Sequence, residues 1–168
     1  ANDLVWEAYQ NKKIKDWQQF SCGRREVKIH DKTRFDLALW HSQYNIDPSK
    51  KVDIKNFDRH SFHFVEVKNV TLACHGQARF PDAVTTRGQK HLTELVELIT
   101  TGHSCELVFV VQRTDCEEFA PADDIDPEYG RLLREAIKAG LIVSPYSCKI
   151  SKGAIELDTS KELPISLP

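Results

Sequence analysis

The sequence predicts a mixed α/β domain, a mixed β-sheet flanked by helices in the order α-β-β-β-α-β-α-β. Three observations carry this. After residue 61 the chain alternates apolar strand-like runs with stretches of helical period, the pattern of strand–helix–strand units. Before residue 41 two strand-like runs face each other across a tight turn, which gives an antiparallel pair. The 168 residues, 40% apolar and 29% charged, suffice for one buried core and exclude a disordered or low-complexity chain.

The elements follow in order. Asp3 is suited to cap a first helix reaching about Lys13, with Leu4, Val5 and Ala8 on its inner face. Strands are expected at Arg25–His30 and Arg34–Trp40, joined through Asp31-Lys32-Thr33. From His41 to His60 the chain is polar, contains Pro48 and reads as an excursion. Phe62–Val67 is apolar enough to be a central strand. In the next helix, about Arg87 to Thr101, Leu92, Leu95, Val96 and Ile99 form a stripe at i, i+3, i+4 and i+7, and Gly102 ends it. Leu107–Val111 is a buried strand. Asp126-Pro127-Glu128 opens a helix with cap, N1 proline and first-turn acid, Leu132, Leu133, Ala136 and Ile137 form its stripe, and Gly140 stops it. Leu141–Ile150 is the last strand. No linker or repeat divides residues 1–168, so a single domain is expected.

Several function classes are set aside. The longest apolar run, Leu107 to Val111, is too short to span a bilayer, so no membrane partner is expected. No basic-then-apolar leader opens the chain, and Ala1-Asn2-Asp3 without an initiator Met reads as the interior of a longer protein. Five cysteines, an odd number with no C-x-x-C pair, point to a reducing, cytoplasmic setting and to inert thiols. His60, His63, Cys74 and His75 contain zinc-type donors at spacings that build a closed zinc site poorly.

The net charge of −2 hides an asymmetry. Residues 1–90 carry 16 basic and 11 acidic side chains, residues 91–168 carry 7 and 14, and Asp115 to Glu128 holds seven acids and no base. One half suits a polyanion and the other does not, although a solvated surface with chance clustering explains the numbers equally well. No motif supports a protein-docking role for the acidic stretch.

An acid two residues before a lysine is the core of many metal-dependent nucleases. It occurs three times, about as often as chance supplies in so charged a chain: Glu26-Val27-Lys28, Asp53-Ile54-Lys55 and Glu66-Val67-Lys68. The chemistry needs a second carboxylate from a neighbouring strand and the lysine on the same strand face as the acid. Asp53 lies in the polar excursion, and no acid in an earlier strand precedes Glu26. Glu66 meets both conditions, with Asp36 in the preceding strand. Two carboxylates among Phe35, Leu37, Val65 and Val67 are costly if buried without compensation. A shared divalent cation and two outward-pointing side chains are the alternatives.

The run Glu66-Val67-Lys68-Asn69-Val70-Thr71-Leu72 resembles the bacterial and archaeal sugar fermentation stimulation protein family. The likeness continues through Phe80-Pro81-Asp82-Ala83-Val84-Thr85, Arg87-Gly88-Gln89-Lys90-His91-Leu92, Val111-Gln112-Arg113 and Ile125-Asp126-Pro127-Glu128-Tyr129. Upstream it includes Ala1-Asn2-Asp3-Leu4-Val5 and Arg34-Phe35-Asp36. The resemblance implies a restriction-endonuclease-like domain of the PD-(D/E)XK superfamily, with Asp36, Glu66 and Lys68 as its D…E-x-K set. It implies DNA as partner and Mg²⁺, with Mn²⁺ as substitute, held by Asp36, Glu66 and the Val67 carbonyl. The expected function is that of a DNA-binding, Mg²⁺-dependent nuclease-like domain hydrolysing phosphodiester bonds. The alternative is a DNA-binding regulator of sugar (maltose) metabolism with a nuclease fold and little or no turnover.

The accessory candidates each have a bland reading beside the functional one. Glu7 is either a water-mediated helper or part of a solvated helix face. Arg87, Gln89 and Lys90 open the central helix, where they bind phosphate or merely cap and solvate it. Asp82 is either catalytic or a turn residue after Pro81. His91 reads as a packed histidine, and Trp6, Trp17 and Trp40 as core. Three departures from the family pattern stand out: its OB-type barrel is not expected in this chain, Trp40 to Ser61 is longer than its usual turn, and Thr86 replaces a usual glutamate.

Overall fold

A computed structural model describes residues 1–30, 33–43 and 62–167. Its elements are α1 (Asn2–Gln10), a 3₁₀ turn (Lys15–Gln19), β1 (Cys22–His30), β2 (Thr33–Trp40), β3 (His63–Val70), β4 (Leu72–Cys74) and β5 (Gln77–Phe80). These are followed by α2 (Thr86–Thr100), β6 (Ser104–Val111), β7 (Glu118–Pro121), α3 (Pro127–Ala139), β8 (Ile142–Ser151) and β9 (Ala154–Glu162). Asp31, Lys32 and the excursion beyond Gln43, with Asp53-Ile54-Lys55 and His60, lie outside the described residues.

Six strands form the main sheet in the order β1-β2-β3-β6-β8-β9. β3, β6 and β8 run parallel in its centre, with antiparallel β1–β2 on one side and β9 on the other. Parallel strands need crossovers. The segment carrying α2 connects β3 to β6, and that carrying α3 connects β6 to β8. The predicted mixed sheet is present, but the predicted order lacks β4, β5, β7, β9 and the 3₁₀ turn. β4, β5 and β7 form a second, three-stranded sheet and have three or four residues each, too few for alternation to show. β9 is a sheet edge in which only Leu157 and the flanking Leu163 are buried, so its apolar signal is thin.

The sheet separates two apolar cores. On the α2/α3 face, Phe35, Phe64, Leu107 and Phe109 pack with Leu92, Leu95, Tyr129 and Leu133. On the α1 face, Leu37, Val65, Val67 and Val108 pack with Val5, Ala8 and Trp17. Alternate residues of β3 therefore serve different cores, as the period of two requires. Trp17 and Trp40 are core residues, as expected, and Trp6 is partly buried.

The caps decide how helices meet the sheet. Asp3 does not cap α1. Ala1 occupies that position without a side-chain bond, while Asp3 sits in the first turn and pairs with Arg25 at 2.7 Å. The helix ends at Gln10 because Lys12 turns left-handed, at φ 54°. Gly140 ends α3 in the left-handed region, as predicted. Gly88 lets the first turn of α2 lie against Tyr129, since a Cβ there would come within 3.1 Å of the ring and 2.8 Å of Thr85 Cγ2.

Asp126 fastens the two helices together. It caps α3 by accepting from Tyr129 N–H (2.9 Å), and it also accepts from Thr85 N–H (2.9 Å) and Gln89 Nε2 (2.9 Å). Burial pushes this carboxyl up, but these donors outweigh burial and hold it below the usual range. The stability it contributes is therefore present above the ordinary carboxylate range and lost as pH falls through its lowered value. Asp126→Ala leaves three donors unanswered and is expected to cost about 2–4 kcal/mol in urea unfolding at neutral pH, with a smaller deficit in acid.

Candidate functional site

The site lies where β2 leaves β3. Their pairing covers only Leu37–Val65, Ala38–Phe64 and Leu39–His63. Continuing that register sets Asp36 opposite Glu66, and there the backbone ladder stops. Val67 N–H is taken by the Asp36 carboxylate, Oδ2 at 2.8 Å, and Asn2 of α1 donates to Asp36 Oδ1 at 2.7 Å. The aspartate thus stands in for a strand carbonyl, which fixes its side chain beside β3.

Glu66 and Lys68 share one face of β3, and Lys68 Nζ lies 2.7 Å from Glu66 Oε1. The same oxygen is met by His91 Nδ1 from α2. Because a carboxylate only accepts, Nδ1 is the protonated nitrogen in that contact. Glu66 is 4% exposed, and its second oxygen, Oε2, is buried with no hydrogen-bond partner. The Tyr129 hydroxyl is also buried and unpartnered; burial and the charges of Glu66 and Asp126 hold it well above its usual range.

The two carboxyls are pushed apart. Burial and the neighbouring charge of Glu66 raise Asp36, against the opposing Val67 N–H, Lys68 and Asn2. Burial also pushes Glu66 upward, but His91 and Lys68 more than compensate and leave it below the usual carboxylate range. Glu66 is the fixed anion of the pair, and Asp36 is the group that gains most from an additional positive charge. Together they offer hard oxygen donors, the set suited to a divalent ion such as Mg²⁺, Mn²⁺ or Ca²⁺. The unanswered Oε2 of a buried carboxylate fits such an ion.

The other candidates are placed as follows. Val67 contributes its N–H to Asp36. Glu7 is exposed and borders a hollow with Lys13, Glu156 and Leu157. Asp82 is exposed in the turn after Pro81. Gln89 is engaged with Asp126, while Arg87 and Lys90 are exposed on the first turns of α2, Lys90 lying 3.1 Å from Glu94. Of the other triplets, Glu26 is exposed and pairs with Arg34 at 2.9 Å. Of the zinc-type residues, His63 is buried in a separate network, and Cys74 and His75 sit at the β4–β5 turn. Among the described residues no three His, Cys, Asp or Glu side chains cluster for a metal ion, and no helix is long and apolar enough to cross a membrane.

Sequence reasoning missed Asn2 and His91. Its Arg87–Thr101 stripe did hold a signal for His91, since this residue precedes Leu92 and lies at the edge of the buried face. It also missed a second buried carboxylate on the α1 face. Glu106 accepts from Trp17 Nε1 at 2.8 Å and lies 3.0 Å from His63 Nε2, and Ser144 bonds it as well.

Comparison with known proteins places these features in context. A family model described as "Sugar fermentation stimulation protein RE domain" matches residues 1–154. A "Sugar fermentation stimulation protein homolog" of Bdellovibrio bacteriovorus is 52% identical over 141 residues, 84% of this chain and 52% of that protein. Its namesake in Geotalea daltonii is 42% identical over 166 residues, 99% of this chain and 64% of that protein. The chain thus spans between half and two thirds of the length of these curated relatives. Among solved structures, "Pyrococcus Furiosus SfsA in complex with Ca2+" matches with a TM-score of 0.79 over 98% of this chain and 64% of that one, at 23% identity. That likeness is one of fold.

The opposed carboxylates make a stability prediction. Asp36→Asn removes a charge that burial and Glu66 both disfavour, so thermal unfolding at neutral pH without metal should show a gain of a few tenths to about 1 kcal/mol. Because Asp36 is raised, its carboxylate protonates early as pH falls, and the gain should fade through the acid range. A loss of stability at neutral pH contradicts this reading of the pair.

Proposed function

From the premise that the chain belongs to the sugar fermentation stimulation protein family, we propose that it is a DNA-binding, divalent-metal-dependent, nuclease-like domain of the restriction-endonuclease-like PD-(D/E)XK type. The observation that carries this reading is the meeting of Asp36, Glu66 and Lys68 where β2 leaves β3, with one buried Glu66 oxygen left open. The Ca²⁺ in the name of the Pyrococcus furiosus structure supports a hard divalent ion in this fold.

Asp36 and Glu66 would hold Mg²⁺, or Mn²⁺ in its place, with the Val67 carbonyl as a further ligand. When bound, such an ion polarises a phosphate and lowers the pKa of water. The protein's own residues do the rest. Val67 N–H and Asn2 keep Asp36 beside β3. Lys68 supplies an ammonium on the face of Glu66, where it can turn to a phosphate oxygen and offset the charge that grows during hydrolysis. Arg87 lies one helical turn before His91, on the same side of α2, and suits it to the flanking phosphates.

Single- and double-stranded DNA incubated with the protein and Mg²⁺ or Mn²⁺ tests the proposal. Cleavage is expected, with Asp36→Asn and Lys68→Ala each reducing it by at least about 10²-fold. Metal-free DNA affinity of Asp36→Asn should hold or rise, because a negative charge facing the phosphates is gone. Wild-type protein that binds DNA and leaves every form intact would replace the enzymatic reading with the binding-only regulator. A further check is salt: log K should fall with log[salt] by about 0.9 per duplex phosphate neutralised, and a flat response rules out DNA as partner.

A further inference from the structure

The pairing around Glu66 contains a conflict. Lys68 is bound to Glu66 Oε1, and its proposed task is to meet a phosphate. If the ammonium leaves, a carboxylate that is 4% exposed loses a charged donor, which is strongly unfavourable for an ion so deeply buried. His91 resolves this. It comes from another element, α2, and its Nδ1 meets the same oxygen as Lys68. The imidazole is 7% exposed, and its ring lies against Phe35, 6.2 Å between centroids, next to Asp36 on β2. One side chain therefore braces Glu66 directly and packs against the strand that carries Asp36.

We propose that His91 is a positioning residue of the metal site: its Nδ1–H holds Glu66 Oε1, so that Oε2 stays free for the divalent ion and Lys68 can leave Glu66 for the phosphate. This rests on the carboxylate site proposed above. The two donors of Glu66 then have separate tasks. Lys68 can move because His91 does not, its ring being packed into α2 and against Phe35. A donor on Oε2 would compete with a cation for that oxygen, and the convergence of both donors on Oε1 leaves Oε2 open.

The test measures Mn²⁺ binding by isothermal titration calorimetry on the 168-residue chain without DNA, so no turnover enters. Asn places its side-chain N–H₂ where imidazole carries Nδ1, whereas Gln places it one carbon further out. His91→Asn should bind Mn²⁺ within about threefold of wild type, and His91→Gln and His91→Leu should bind it about 10–100-fold more weakly. Thermal unfolding without metal checks each variant; if His91→Leu does not fold, the Asn–Gln comparison decides. Equal Mn²⁺ affinity in wild type, His91→Gln and His91→Leu, while Asp36→Asn fails to bind, overturns the role of His91 and leaves the site standing. His91→Asn binding as weakly as His91→Gln also overturns it, because packing alone is then at stake. No Mn²⁺ binding by wild type overturns the site itself, and the inference with it.

Discussion

A carboxylate buried among apolar strands must be compensated or protonated, and Glu66 is the group whose compensation organises this domain. Transfer of an ion from water to a protein interior costs several kcal/mol even after relaxation. The chain answers with a lysine two residues along the same strand and a histidine from the helix that follows. To bring His91 there, α2 must start close against the sheet. The Thr85 cap, the small Gly88 and the clamp of Asp126 on Thr85 and Gln89 together set that position. The clamp that stabilises the α2–α3 corner therefore also aims the side chain that holds Glu66.

How much of this was legible depends on how far each signal travels along the chain. The central strands and both long helices announce themselves locally, through apolar runs and a stripe of leucines, and Asp126-Pro127 and Gly140 mark the ends of α3. The Asp36–Glu66–Lys68 set was legible because period two puts Glu66 and Lys68 on one face and because an acid among apolar residues needs a reason. Of its partners, Asn2 was not, because it arrives from an element distant in sequence, and His91 showed only as a residue beside the apolar stripe of α2. Glu7 illustrates the limit: five residues beyond Asn2 it is turned about 140° around the helix, toward Lys13 and Glu156. Only the placement of α1 against β2 decides which of the two meets Asp36.

The acidic second half has a local explanation. Asp115 pairs with Arg113, Asp123 with Arg134, Asp124 with Arg79 and Glu128 with Arg131, while Asp126 caps a helix. The seven acids between Asp115 and Glu128 are thus largely spent on arginines and on backbone N–H groups. Exposed pairs of this kind add little stability. Their consequence is electrostatic: the stretch projects less negative field than its composition suggests.

The two buried carboxylates of the sheet separate architecture from chemistry. Glu106 and Glu66 lie on adjacent parallel strands, on opposite faces, and each contacts a histidine. At Glu106 an indole N–H, a histidine and a serine all converge, and neither of its oxygens is among the buried unpartnered atoms of the described residues. Such a network ties the 3₁₀ turn to the sheet and needs no visitor. At Glu66 two donors meet one oxygen and leave the other without a hydrogen-bond partner. A polar group left open inside a protein costs free energy unless something occupies it. With Asp36 raised by burial and by Glu66 itself, the bare Oε2 is the feature on which the proposed divalent-metal reading of this corner rests.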